Sequence, residues 1–240
     1  MTYLELCQKL ASESGTLKDG DAITTVVGNT GRKARVCRWI NDAWVAIQNA
    51  HSTWLWMESE FTITTVASQR RYAYTDAVDS IDSATVSRFG HWIYNSDVEM
   101  DSGVTLYDSS IGIADQGVLL FRPWQHFFDS FMRGTQTEQK PTHFTITPQG
   151  QIALHDTPDT TDYVVTGRYQ KSAQNLTSDS DIPECPPRFH DVIVDAGMIA
   201  LETFDENPGR LTLLLLRRSA NFAALERDML PQMLLAEPLA

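Results

Sequence analysis

Between Gly31 and Met57 the hydrophobic positions recur every three or four residues. Val36, Ile40, Ala43, Ile47, Ala50 and Trp54 fall on one stripe at about 100° per residue, and Trp39 and Trp44 widen it on either side. Arg38, Asn41, Asp42, Gln48, Asn49 and Ser52 take the opposite face. The segment predicts an amphipathic helix, with Thr30 placed so that its oxygen accepts from an unpaired amide of the first turn. Four of the chain's 6 tryptophans lie here. Large amphipathic rings face inward when their N–H finds a partner, so the stripe is read as core, with any remainder available to a subunit contact.

The same reading extends to both ends of the chain. Tyr3, Leu6 and Leu10 stand at helical spacing in residues 2–14, and Gly15 supplies the stop. Near the C-terminus, Phe189, Val192, Ile193, Ala196, Ile199, Ala200 and Phe204 mark one face of a helix. After the tight connection DENPG, Leu211, Leu215, Arg218, Phe222, Leu225 and Met229 recur in steps of four and three, a short coiled-coil-like seam with an arginine inside it.

From Glu60 the period shortens to two. EFTITTV places Phe61 and Ile63 on one face, QRRYAYTD repeats the alternation with Tyr72 and Tyr74, and together they predict a hairpin. HWIYNSDVEM, GVTLYDSS and GVLLFRP continue the short-strand pattern. PWQHFFDSFMRG interrupts it with one helical face of Trp124, Phe127, Phe128 and Phe131. A second hairpin aligns Phe144 and Ile146 against Ile152 and Leu154 around Pro-Gln-Gly, and DYVVTGRYQ supplies a further strand. The polar stretch KSAQNLTSDSDIPECPP reads as a linker or a covering strap. The fold expected is α+β: helices of residues 1–58 and 173–240 forming a bundle, with an antiparallel β module, 59–172, inserted between them.

Composition bounds the chemistry. The chain has 240 residues, 42% hydrophobic and 21% charged, the balance of an ordinary globular protein. Nineteen basic against 31 acidic residues give a formal charge of −12, which argues against a surface built to hold phosphates and fits one that lets DNA pass without sticking. No run reaches the length of a membrane span, and MTYLELCQKLASES lacks the pattern of a signal peptide, so synthesis in the host cytoplasm is expected. Cys7, Cys37 and Cys185 are far apart in sequence and include no C-x-x-C pair, and are read as reduced, mostly buried thiols.

Catalytic constellations are absent from the sequence. The histidines, His51, His91, His126, His143, His155 and His190, show no H-x-x-x-H spacing, and the phosphate-binding glycine motifs and the G-x-S-x-G elbow are missing. His155-Asp156 and His190-Asp191 are neighbours without the geometry of a dyad, since adjacent strand residues face opposite ways. Asp156, Asp159 and Asp162 lack the turn glycine of a calcium loop. Trp92, Tyr94 and Trp124 are candidate sugar-stacking rings. No metal and no cofactor are expected.

Arg32, Lys33 and Arg35 crowd the first turn of the tryptophan helix. There the positive end of the dipole favours acids by roughly a few tenths of a kcal/mol per side chain. Local stability does not select them, and reversing all three to glutamate is expected to leave folding intact. Two readings stand: solvated side chains, or a basic spot for an acidic partner. The tail PQMLLAEPLA is apolar and too short for a core of its own, so it is either frayed or docked elsewhere.

Taken together, TGRKARVCRWINDAWVAIQNAHSTWLWM followed by EFTIT, then KPTHFTITPQGQIALHDTPD and IPECPPRFHDVIVDAGMIAL, resemble the head-to-tail adaptor proteins of tailed bacteriophages. The likeness covers residues 1–230. It implies a structural, non-enzymatic virion protein assembled as a twelve-fold ring beneath the portal, with tail or nozzle proteins on its far side and double-stranded DNA passing through. Under it, Arg32, Lys33, Arg35, Met233, Leu234, Leu235 and Leu239 are the candidate contacts to the portal protein or to a neighbouring copy. The alternative is a carbohydrate- or receptor-binding module of the virion, whose function would rest on the aromatics of the β module.

Overall fold

A computed structural model describes residues 1–17, 21–97, 101–134, 137–160 and 162–231. The chain is α+β and divides into two compact units: residues 1–57 with 173–240, and residues 58–172.

The first unit is helical. Helix α1 (Tyr3–Ser14) opens on a capping box, in which Thr2 Oγ1 accepts from the Glu5 amide and Glu5 Oε2 accepts from the Thr2 amide, and closes on left-handed Gly15. Helix α2 (Gly31–Asn49) buries Val36, Ile40, Ala43 and Ile47 as the spacing predicts, together with Trp39 and Trp44. Three details differ. Thr30 makes no side-chain cap bond, because Gly31 enters the helix at a left-handed φ of 59° and turns the chain before the hydroxyl can reach an amide. The helix ends at Asn49, so Ala50 is exposed and Trp54 joins the core from the turn that follows. Gln48, expected on the solvent face, is buried: its amide donates to the Gln174 carbonyl at 3.0 Å and accepts from the Gln174 amide at 2.7 Å.

That partner lies in the polar stretch before the C-terminal helices, which behaves as a strap. Asn41 Oδ1 accepts from the Leu176 amide, Trp44 Nε1 donates to Gln174 Oε1, and Leu176 and Cys185 are buried. Helix α4 (His190–Phe204) then packs on α1 and α2. Gly197 permits the approach, since a Cβ there would stand 2.6 Å from Leu10 Cδ1 and 3.0 Å from Ile40 Cδ1. The predicted stripe on α4 is only half right. Val192 and Ile193 are buried, but so are Val194, Met198 and Leu201, while Phe204 is exposed. Neighbours on three sides, α1, α2 and α5 (Pro208–Met229), bury more of the helix than one stripe accounts for.

The second unit carries two sheets. In one, β1 (Glu58–Thr64) runs antiparallel to β10 (Tyr163–Gln170), flanked by β3 (Val78–Asp79), β4 (His91–Ile93), β5 (Thr105–Asp108) and β6 (Gly117–Val118). In the other, β2 (Arg71–Tyr72), β9 (Ile152–His155), β8 (His143–Ile146) and β7 (Leu120–Phe121) lie in that order, with β7 parallel to β8. Helix α3 (Trp124–Phe131) buries Phe127 but leaves Phe128 exposed.

The β8–β9 hairpin has the predicted register, Phe144 opposite Leu154 and Ile146 opposite Ile152, turned by Gly150 at φ 75°. The predicted pairing of β1 with β2 does not form. Alternation fixes which face a residue takes but not which strand lies beside it. The intervening loop folds around the Tyr72 hydroxyl, which accepts from the Val66 amide and donates to the Gln69 carbonyl, so β2 joins β9 in the other sheet.

Candidate contact surface

The basic trio is largely occupied within the chain. Arg32 Nε donates to Thr16 Oγ1 at 2.6 Å, Nη1 to Asp205 Oδ1 at 2.7 Å, and Nη2 to the other oxygen of the same carboxylate. Its guanidinium lies 5.6 Å from the Trp39 ring centroid and 5.8 Å from that of Phe204. The Arg32 bonds hold the Asp205 carboxyl below its usual range. Lys33 Nζ meets Asp21 Oδ1 at 2.5 Å and the Ala22 carbonyl at 3.0 Å. Arg35 stays exposed, 4.6 Å over Phe204. These pairs supply a reason for cations at a helix start that the dipole alone disfavours.

The expectation that reversing the trio leaves folding intact is therefore revised. Arg32→Glu alone removes a two-bond contact and sets two carboxylates face to face. Unfolding by urea should show a loss of about 1 kcal/mol, within the range of partly exposed ion pairs; no loss would mean the Asp205 contact contributes nothing.

Helix α5 departs from its predicted seam. Leu214 and Leu225 are buried, Leu211, Arg218, Phe222 and Met229 are half-buried, and Leu215 is exposed. The rotation comes from charge. On α4, Asp195 and Glu202 are almost fully buried. Asp195 pairs with Arg217 and accepts from Asn221 at 3.0 Å, and Glu202 pairs with Arg210 at 3.2 Å. A buried carboxylate needs such partners. With Arg210, Leu214, Arg217, Asn221 and Leu225 turned to α4, the next row points outward: Leu213 is 70% exposed and Leu216 66%, and Ala220 and Ala223 continue the line. Arg218 Nε is buried without a hydrogen-bond partner, and its guanidinium lies 5.7 Å from the Phe222 ring.

The sequence reading missed these residues, although a signal existed. Asp195 and Glu202 are seven apart, as are Arg210 and Arg217, the spacing of matched rungs between two antiparallel helices. Met233, Leu234, Leu235 and Leu239 lie outside the described residues.

The titratable groups are structural in their surroundings. His190 is buried, and its Nε2 lies 3.1 Å from the Cys185 carbonyl. His143 and His155 sit in the β unit with Phe131 stacked on His155 at 4.1 Å. The alternation argument for His155 and Asp156 stops at the strand end: the two side chains approach to 3.4 Å, and Asp156 is buried and accepts from Gln139. Desolvation lowers the pKa of all three imidazoles below 6.5. Because the unfolded chain takes up protons first, stability is full above about pH 6.5 and falls as pH drops from there through the folded values. Thermal unfolding at pH 7.5 and at pH 5.5 should show the lower melting temperature at pH 5.5, and a reversed order would contradict these assignments.

Asp156, Asp159 and Asp162 do not converge. Asp159 bonds with Tyr163, and Asp162 accepts from Thr160. Among the described residues no group of three or more His, Cys, Asp or Glu side chains is placed to hold a metal ion. Trp92 is buried, donating to the Gly150 carbonyl at 2.7 Å, so it offers no face to a sugar; Tyr94 packs on Phe121 and Arg71 lies over Trp124. An open cleft of about 420 Å³ on the larger sheet is lined by Thr62, Thr105, Tyr107, Thr166 and Arg168 among others. Among the described residues no helix is long and apolar enough to cross a membrane.

Among the described residues the helical unit presents an exposed apolar row on α5 beside its internal charge pairs, the kind of surface that a protein of an assembly offers. The chain belongs to the SU10 adaptor protein family, whose model matches residues 1–238. It is thus a phage structural adaptor, a protein of the virion, and the family implies no enzymatic role. A search of curated proteins finds no match.

Proposed function

We propose that this adaptor forms a ring beneath the portal of a tailed phage, joins head to tail, and surrounds the channel through which DNA passes. The helical unit is read as a bundle that carries the β unit as an insertion and supplies the contacts between copies. The observation that carries this reading is the exposed apolar row on α5, Leu213, Leu216, Ala220 and Ala223, in a chain of the phage adaptor family. A row of that kind is unfavourable in water and is buried when a second surface covers it. A head-to-tail contact repeated by rotation closes into a ring, and twelve copies are proposed, the number that the resemblance to head-to-tail adaptors implies.

The formal charge of −12 supports a lumen that repels the DNA backbone. Arg35, exposed over Phe204, is the member of the basic trio free to meet an acidic partner surface. Met233, Leu234, Leu235 and Leu239 are proposed to order on the portal or on a neighbouring copy, the loss of chain entropy offset by burial at about 25 cal/mol per Å². The outward row of two leucines and two alanines is small beside the area a stable interface buries, so the isolated protein is expected to stay monomeric or weakly associated until a portal aligns the copies.

Co-sedimentation with portal particles tests the reading. The full chain should pellet with the portal, and a chain lacking residues 231–240 should pellet less while unfolding at an unchanged temperature. Equal docking by the truncated chain removes the tail from the account, and no docking by the full chain contradicts the adaptor reading as proposed.

A further inference from the structure

Two cysteines of the helical unit take no part in the contacts proposed above. Cys7 lies on α1 and Cys37 on α2, both buried in the same apolar cluster, as free thiols. Their helices meet at this point. The Tyr3 hydroxyl donates to the Cys37 carbonyl at 2.7 Å, and Cys7, four residues on from Tyr3, occupies the same face of α1 one turn further along. The two thiols are near enough to share a hydrogen bond. Asn29 Nδ2 approaches the Cys37 sulfur at 3.7 Å. Cys185, the remaining cysteine, lies in the strap and is buried, its carbonyl 3.1 Å from His190 Nε2.

We propose that Cys7 and Cys37 form a disulfide that staples α1 to α2 once the protein leaves a reducing compartment. The timing rests on the virion reading above: an adaptor is made where thiols are kept reduced and is then carried outside. The pairing itself rests on the meeting of α1 and α2 at Tyr3 and Cys37, and on the burial of both thiols in one cluster.

The chemistry requires an oxidant, taken here as a small-molecule disulfide. The Cys37 sulfur, as thiolate, attacks one sulfur of the oxidant, the oxidant's S–S bond breaks, and one small thiolate leaves. The Cys7 thiol gives up its proton and attacks the Cys37 sulfur of the mixed disulfide, releasing the second small thiolate. The two protons lost by the protein end on the two small thiols. The protein is oxidised by two electrons and the reagent is reduced by two. Cys37 is taken as the first nucleophile because Asn29 Nδ2, 3.7 Å from its sulfur, can donate to the thiolate. Burial makes reaction wait on local opening of α1, which keeps the pair reduced during brief exposure and lets it close over longer times. The bond would close the loop of residues 8–36, constraining the unfolded chain.

The test uses the purified full chain in glutathione buffers from fully reduced to fully oxidised. The samples are held below the unfolding temperature, quenched in acid, alkylated and digested with trypsin. Cleavage after Lys9, Arg35 and Arg38 releases Cys7 in peptide 1–9 and Cys37 in peptide 36–38. The expected result is a disulfide-linked 1–9/36–38 pair in the oxidised native protein, with Cys185 still alkylated. The melting temperature should rise on oxidation, and both the link and the rise should vanish in Cys7→Ser and in Cys37→Ser. Free Cys7 and Cys37 in the fully oxidised buffer just below the unfolding temperature would overturn the proposal, as would linkage that appears only in urea. Alkylation of intact virions before reduction reads the timing: a linked pair supports it, and free thiols there overturn it. Failure of portal binding affects neither the peptide link nor the melting shift, so the two proposals fail separately.

Discussion

Replacing Trp54 by alanine is expected to destabilise the helical unit by about 3–5 kcal/mol, the range found when a large buried aromatic is truncated. The residue is fully buried, its Nε1 donates to the carbonyls of Ile47 and Gln48 at 3.1 Å each, and its ring stacks on Trp56 at 4.2 Å. His51 and Phe222 meet its edges, so the same side chain joins the end of α2 to α5. Truncation removes the hydrogen bonds, the stack and the packing together. Denaturant unfolding followed by far-UV circular dichroism checks this. A change under about 1 kcal/mol would place Trp54 outside the core and make it a contact residue awaiting a partner.

The reason Trp54 was visible in the sequence differs from the reason it is buried. Periodicity placed it on the α2 stripe, and the stripe holds from Val36 to Ile47, where side chains repeat on a real helix. Beyond Asn49 there is no helix to project along, and Trp54 returns to the core because the chain turns there. The same limit explains α5. A pattern of leucines identifies a helix, but four consecutive ones, Leu213 to Leu216, leave its rotation undetermined. The buried acids Asp195 and Glu202 on α4 fix that rotation through Arg217 and Arg210. In the β unit, local pairing across a short turn was readable for β8 and β9. The placement of β2 beside β9 depends on a loop wound around one tyrosine hydroxyl and on a strand about eighty residues away, and no local pattern encodes it.

The basic trio shows what a purely local energy argument leaves out. Cations at a helix start are locally unfavourable. Asp205, which follows α4, and Asp21, in the loop before α2, reverse the sign through contacts invisible to a window of one helix. Only Arg35 keeps the exposure that the partner-binding expectation assigned to all three.

Changing Leu213 and Leu216 together to glutamate should leave the single chain folded and remove its assembly. Both side chains already contact water over most of their surface, so monomer stability should move by less than about 0.5 kcal/mol, as for ordinary surface sites. Between copies, the same change would bury two carboxylates against an apolar neighbour without partners, costing several kcal/mol per interface. Repeated around a ring, that cost is expected to lower portal-dependent assembly at least a hundredfold, since about 2.7 kcal/mol corresponds to that factor. Analytical ultracentrifugation with and without portal particles reads it. Assembly by the double variant equal to that of the parent chain would move the inter-copy contact off α5.

The most direct test is an image of the chain in its particle. A cryo-electron microscopy reconstruction of the head–tail vertex of the virion should show twelve copies directly beneath the portal, the α5 rows at the boundaries between copies, and an open channel along the axis. Density for this chain at a tail tip or fibre, or at the vertex with the α5 rows facing solvent, would contradict the account.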